Sequence, residues 1–187
     1  MNQSGSSGQL QKKFQNPGSQ NQDSGVIVKK FLILILLCSM HPLLAQSRAN
    51  DIPVDQLPAE VRQVLDRYIE ILTTSPSINE AATKFVEIAG GSLVNEDGSL
   101  RSTVAQFGLK KDFNDIKFYE VPAVITRVNK TTTNGDGYGA TRIRGTVYKI
   151  WIRKKNEKDG MPAPVTIVVP EGHPTITTPK VTNVGSY

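Results

Sequence analysis

The feature that most constrains this chain is a change of period at Phe118. Before it, apolar residues recur at three- and four-residue steps; after it, β-branched residues come in runs. Val61, Val64, Leu65, Tyr68, Ile69, Ile71 and Leu72 form one face of a helix expected over residues 58–73. Pro58 suits its first turn, where a missing N–H costs nothing, and Ser75-Pro76 stops it. Ser77-Ile-Asn-Glu80 reads as a capping box for a second helix, with Ile78, Ala81, Ala82, Phe85 and Ile88 as its apolar face and Gly90-Gly91 as its exit. Val104, Phe107, Leu109, Phe113 and Ile116 would line one side of a third, short or broken helix around Gly108. Strands are then expected over residues 121–129, 138–153, 164–169 and 175–184, with residues 131–137 as a flexible hairpin connection and Pro179 favouring an edge or a break. In the long second run, Ile143 and Val147 share one parity while Ile150 and Ile152 have the other. A bulge near Tyr148-Lys149 would restore a common inner face. The expected fold class is α+β: two to three N-terminal helices packed on a curved antiparallel sheet of about four strands.

Upstream of this domain, Lys29-Lys30 precedes an apolar run at residues 31–37, then Pro42 and the small residue Ala45. That order is a signal peptide's, with cleavage expected after Ala45, and the apolar run is far shorter than the roughly 18 residues a membrane span needs. Leu37 before Cys38 argues against lipidation, which calls for a small residue there. Residues 1–28 are rich in Gln, Ser, Asn and Gly and are expected either to be a disordered leader or to lie ahead of a true start at Val28. The organisation is thus a leader over 1–28, a signal peptide over 29–45 and one α+β domain over 46–187, in the periplasm or secreted, with no stable membrane span after cleavage.

Cleavage changes the charge argument. The whole chain carries +5, but from Gln46 onward 18 Lys and Arg face 16 Asp and Glu, a net of +2. A field that small does not make a nucleic-acid footprint, so no nucleic-acid partner is expected. Cys38 is the only cysteine, which removes disulfides and thiolate sites from the mature domain. His173 is its one histidine, so chemistry needing a His pair or a His-rich metal shell lacks its residues.

Within the domain, Thr132-x-Asn134-x-Asp136-Gly137 opens like a calcium loop, but the twelfth position is Ile143, where a bidentate acid belongs. Gly135, Gly137 and Gly139 are spaced as in phosphate loops, yet a strand follows where a helix should, and they read as turn residues. No metal and no cofactor is expected. Asn129-Lys-Thr131 has the form of a glycosylation acceptor, which has meaning only in a host that uses it. Asp112, Asp115 and Glu120 stand beside Lys110, Lys111 and Lys117, which predicts solvated surface pairing rather than acid–base work. No catalytic residue stands out. Tyr119, Arg127, Tyr148 and Trp151 are the candidate ligand-binding residues, since aromatics and an Arg on a curved sheet suit a concave site.

Helices followed by a bent antiparallel sheet, over about residues 55–185, resemble the NTF2-like or cystatin-like α+β superfold. The resemblance rests on element order and transfers no residue roles. It implies either a pocket enzyme or a non-catalytic association module. The leading expectation is an exported, non-catalytic domain that binds a protein, glycan or small ligand, with a homodimer compatible with it. A small-molecule pocket enzyme and a structural subunit of a cell-envelope complex are the alternatives.

Overall fold

A computed structural model describes residues 49–185, within a compact unit spanning Ser47–Tyr187. The predicted leader and signal peptide lie outside the described residues. The first helix, α1 (Ala59–Thr74), follows Pro58, whose carbonyl accepts the first turn's N–H groups from Val61 and Arg62 at 3.0 Å. Val61, Leu65, Tyr68, Ile69, Ile71 and Leu72 are buried, so the apolar stripe read from the sequence is the stripe that packs. Arg62 and Asp66 pair across one turn of its outer face at 3.0 Å. Helix α2 (Ile78–Phe85) begins where Ser77 Oγ accepts the Glu80 N–H at 3.3 Å, which caps an otherwise open donor. Its Phe85 ring meets Tyr68 of α1 at 5.3 Å between centroids, joining the two helices through a tilted aromatic pair.

The third helical segment is a π-helical turn (Val104–Leu109) running into α3 (Lys110–Asp115). Its buried side is Val104, Leu109, Asp112 and Ile116, and Phe107, expected on that side, is 68% exposed. The wider π turn rotates Phe107 outward and brings Gly108 against Val184, where a Cβ would come within 2.8 Å of the valine side chain.

The sheet has five strands rather than about four, all antiparallel in sequential order: β1 (Asp51–Ile52), β2 (Ile125–Asp136), β3 (Ile143–Ile152), β4 (Pro164–Pro170) and β5 (Lys180–Asn183). β1 is two residues long, too short for any periodic signal, and forms by pairing with Val128 and Asn129. The expected flexible connection is strand as far as Asp136, because Thr131, Thr132 and Thr133 are β-branched and pair with Val147, Thr146 and Gly145. The expected bulge near Tyr148-Lys149 does not exist: β3 keeps register with β4 from Gly145 to Trp151. The irregularities in the β2–β3 pairing fall in β2, between Ile125 and Arg127 and between Thr133 and Asp136. Both parities of β3 are buried because both faces of the sheet are covered. Tyr148, Ile150 and Ile152 pack toward the helices, while Ile143 and Val147 join Val168 and Ile176 in a small cluster on the opposite face. Residues 175–179, expected as part of the last strand, instead loop back and bring Ile176 to that cluster; β5 starts only after Pro179. Among the described residues, no helix is long and apolar enough to cross a membrane.

Candidate functional site

Arg127 of β2 and Trp151 of β3 are cross-strand partners, with the guanidinium carbon 4.3 Å from the indole centroid. Asp51 of β1 holds the Arg127 Nε at 2.9 Å and accepts from Asn129 Nδ2 at 3.0 Å. Acid, guanidinium and indole thus form one row across three strands, a charge-assisted bond joined to a cation–π contact. Tyr148 belongs to the opposite face, in the helix-side core, with the Lys130 ammonium 6.0 Å from its ring. Tyr119 is fully buried after the short turn Ile116–Phe118, under Lys154 Nζ at 5.2 Å. Burial pushes its phenol above the ordinary tyrosine range; backbone contact at Ala163 opposes that, and the charges of Asp112 and Asp115 reinforce it. The structure therefore brings Arg127 and Trp151 together and sets Tyr148 and Tyr119 apart from them, inside the core.

A more open arrangement lies at the β2–β3 hairpin, where the sequence suggested a connection over 131–137 and a strand from Tyr138; the strand begins only at Ile143, after a short turn at Gly139–Thr141. A cleft of about 460 Å³ is lined by Ser92, Asp136, Tyr138, Arg142 and the glycines 135, 137 and 139. Gly137, at φ 93°, crosses directly against Gly91, and a Cβ there would fall 2.7 Å from the Gly91 carbonyl carbon. That close crossing lets Asp136 Oδ1 accept the Ser92 N–H at 3.2 Å, tying the hairpin to the loop after α2. Tyr138 is 65% exposed, yet its ring is held by Arg101, whose guanidinium carbon is 5.3 Å from the centroid and whose Nε donates to the Val94 carbonyl. Arg142 Nη2 donates to the Asn134 carbonyl at 3.3 Å, which fixes a second cation at the cleft. A second cleft, of about 450 Å³, adjoins along β2 from Asn134 and includes Arg144 and Glu171.

The two groups best suited by type to acid–base work are held by backbone. His173 Nδ1 accepts the N–H groups of Thr175 and Ile176 at 3.2 and 2.8 Å, so the ring proton belongs on Nε2, which donates to the Ala140 carbonyl at 3.1 Å. The imidazole thus pins the 171–179 loop to the hairpin. Changing His173 to Ala is expected to cost about 1–2 kcal/mol in urea unfolding through the lost hydrogen bonds, with faster amide exchange at Thr175 and Ile176 as the local sign. Asp112 departs from its predicted surface pairing: it is 1% exposed, and its Oδ2 accepts from Tyr68 Oη and from the Gly185 N–H, each at 2.7 Å. Leu109, Asp112 and Ile116 are spaced three and four apart, which puts the acid on the inward stripe of α3; that spacing was the available signal. Asp115 does pair at the surface with Lys111 at 3.2 Å, and Glu120 approaches Arg153 at 3.9 Å.

Comparison of the chain with protein-family models, with curated proteins and with solved structures gives no match.

Proposed function

We propose that this chain is an exported, non-catalytic domain, acting in the periplasm or outside the cell, that binds its ligand at the β2–β3 hairpin end. The observation that carries the reading is a contrast within one structure. Asp112 is 1% exposed and His173 has both ring nitrogens on backbone groups, while Asp136, which also accepts the Ser92 N–H, lines an open cleft of about 460 Å³ with Tyr138 and Arg142. Pockets of that size with a few convergent polar groups suit small-ligand or motif recognition. Titration of the purified protein with a panel of peptides, saccharides and small anions, followed by amide shifts, tests it. Binding without turnover, with shifts confined to residues 90–92 and 135–142, is the expected result. Consumption of a ligand that is lost in Asp112→Asn would overturn the reading in favour of a pocket enzyme.

One observation favours the structural-subunit reading as second. β1 pairs only with Val128 and Asn129, so among the described residues β2 runs on to Asp136 with no strand on its outer side. Such an edge can accept a strand from another chain.

A further inference from the structure

We infer that the cleft around Tyr138 is a subsite for a neutral saccharide unit, with the tyrosine ring as its platform and Asp136, Arg142 and Ser92 as hydroxyl partners. The inference rests on the binding reading above and names its ligand class. Three features carry it.

The first is a fixed, exposed aromatic. A tyrosine at a hairpin end ordinarily samples several rotamers, but Arg101 is itself anchored to the Val94 carbonyl and holds the Tyr138 ring at 5.3 Å. An aromatic ring held in place loses little side-chain entropy on binding and offers an apolar face to the C–H side of a sugar ring. The second is charge balance. Asp136 and Arg142 line the cleft, the Glu96 carboxylate lies against Gly139, and Arg101 backs the tyrosine. Two acids and two cations give no net field to attract a phosphate or a carboxylate, whereas a hydroxyl donates to the acid and accepts from the guanidinium. The third is fit. A space of about 460 Å³ is at the small-ligand end of pocket sizes, and the absence of side chains at 135 and 139 lets the Arg142 guanidinium and the Glu96 carboxylate lie directly against the turn, one charge of each sign beside the tyrosine.

The experiment titrates the purified protein with glucose, galactose, mannose and N-acetylglucosamine, and separately with glucose 6-phosphate and inorganic phosphate. The readout is the amide shifts of Gly135, Gly137 and Gly139. At least one neutral sugar is expected to move these signals with a Kd on the order of millimolar. Tyr138→Ala should weaken that binding by about tenfold, Asp136→Asn should weaken it less, and Met161→Ala, beside Thr126 and Arg153 in a separate groove, should leave it unchanged. Inorganic phosphate moving the same amides as strongly as glucose 6-phosphate, with no response to neutral sugars, would overturn the inference and mark an anion site. Peptides shifting these glycines when no sugar does would also overturn it, while the broader binding reading stood. Asp112-dependent turnover would instead remove that broader reading.

Discussion

Replacing Asp112 with alanine is expected to remove about 3–6 kcal/mol of stability, because two hydrogen bonds to a carboxylate are lost at once, each contributing about 1.5–3 kcal/mol. Against a total of about 5–15 kcal/mol for a domain, that loss lowers Tm by roughly 10–15 °C. Asp112 Oδ2 accepts from Tyr68 of α1 and from Gly185 beyond β5, so one buried oxygen fastens α3 to a helix and to the end of the described chain. Alanine leaves the Tyr68 hydroxyl, on a fully buried side chain, without this acceptor. Asp112→Asn retains one carbonyl oxygen able to accept both bonds and is expected to cost less than half as much. A double-mutant cycle sharpens the test: Tyr68→Phe should cost about 1–2 kcal/mol alone and clearly less in the Asp112→Ala background. An alanine variant within 1 kcal/mol of the parent would show that the carboxylate is not the fastener.

The helices were legible because their signals are local. Pro58, the three- and four-residue apolar steps, and Ser77 all act within one or two turns, and the structure uses them as read, although the Glu80 carboxylate pairs with Lys84 rather than closing the box. The order of helices before an antiparallel sheet was legible for the same reason, since β-branched runs declare strands without reference to their partners. What was hidden depends on contacts between distant segments. β1 is strand only because β2 lies beside it, and the inward position of Ile143 and Val147 is explained only when residues 171–179 cover the second face. An assumed single core forced a bulge into β3; two covered faces make it unnecessary.

The candidate site was hidden in a different way. Gly135, Gly137 and Gly139 sit in a composition that means turn, and local chemistry stops there. That Gly137 crosses Gly91, and so gathers Ser92 and Asp136 at one cleft with Tyr138 and Arg142, is a tertiary fact with no local periodicity. Trp151 and Arg127 were selected by residue type as candidate ligand-binding residues, and type said nothing of their contact; the structure stacks one on the other and adds Asp51, which completes the row through a strand the sequence did not show. Aromatic content alone could not assign Tyr148 and Tyr119 to the core rather than to a concavity, because which face a strand residue takes depends on what covers each side.

Gly145 offers the sharpest test of the two-faced sheet. It sits in β3 between Thr133 of β2 and Pro170 of β4, at φ 147°, and an added Cβ would collide with the Val169 carbonyl oxygen and come within 3.1 Å of the Glu171 nitrogen. These neighbours are backbone held by the ladder, so they cannot rotate away as a side chain would. Gly145→Ala is therefore expected to cost about 3 kcal/mol or more, a backbone term of about 1–2 kcal/mol plus the separation of β3 from β4. Gly98→Ala is the matched control. It also has a positive φ, at 82°, but no atom within 4 Å of the new methyl, so it should show the backbone term alone. Equal losses in the two variants would mean that β4 does not press on β3 at this point. A larger loss for Gly145, with exchange of the Glu171 amide accelerated in the same variant, places the end of the β3–β4 ladder where Glu171 donates to Arg144 at 2.9 Å. Because His173 and Ile176 follow directly, loosening there should spread to the loop that covers Ile143 and Val147 and holds the hairpin at Ala140.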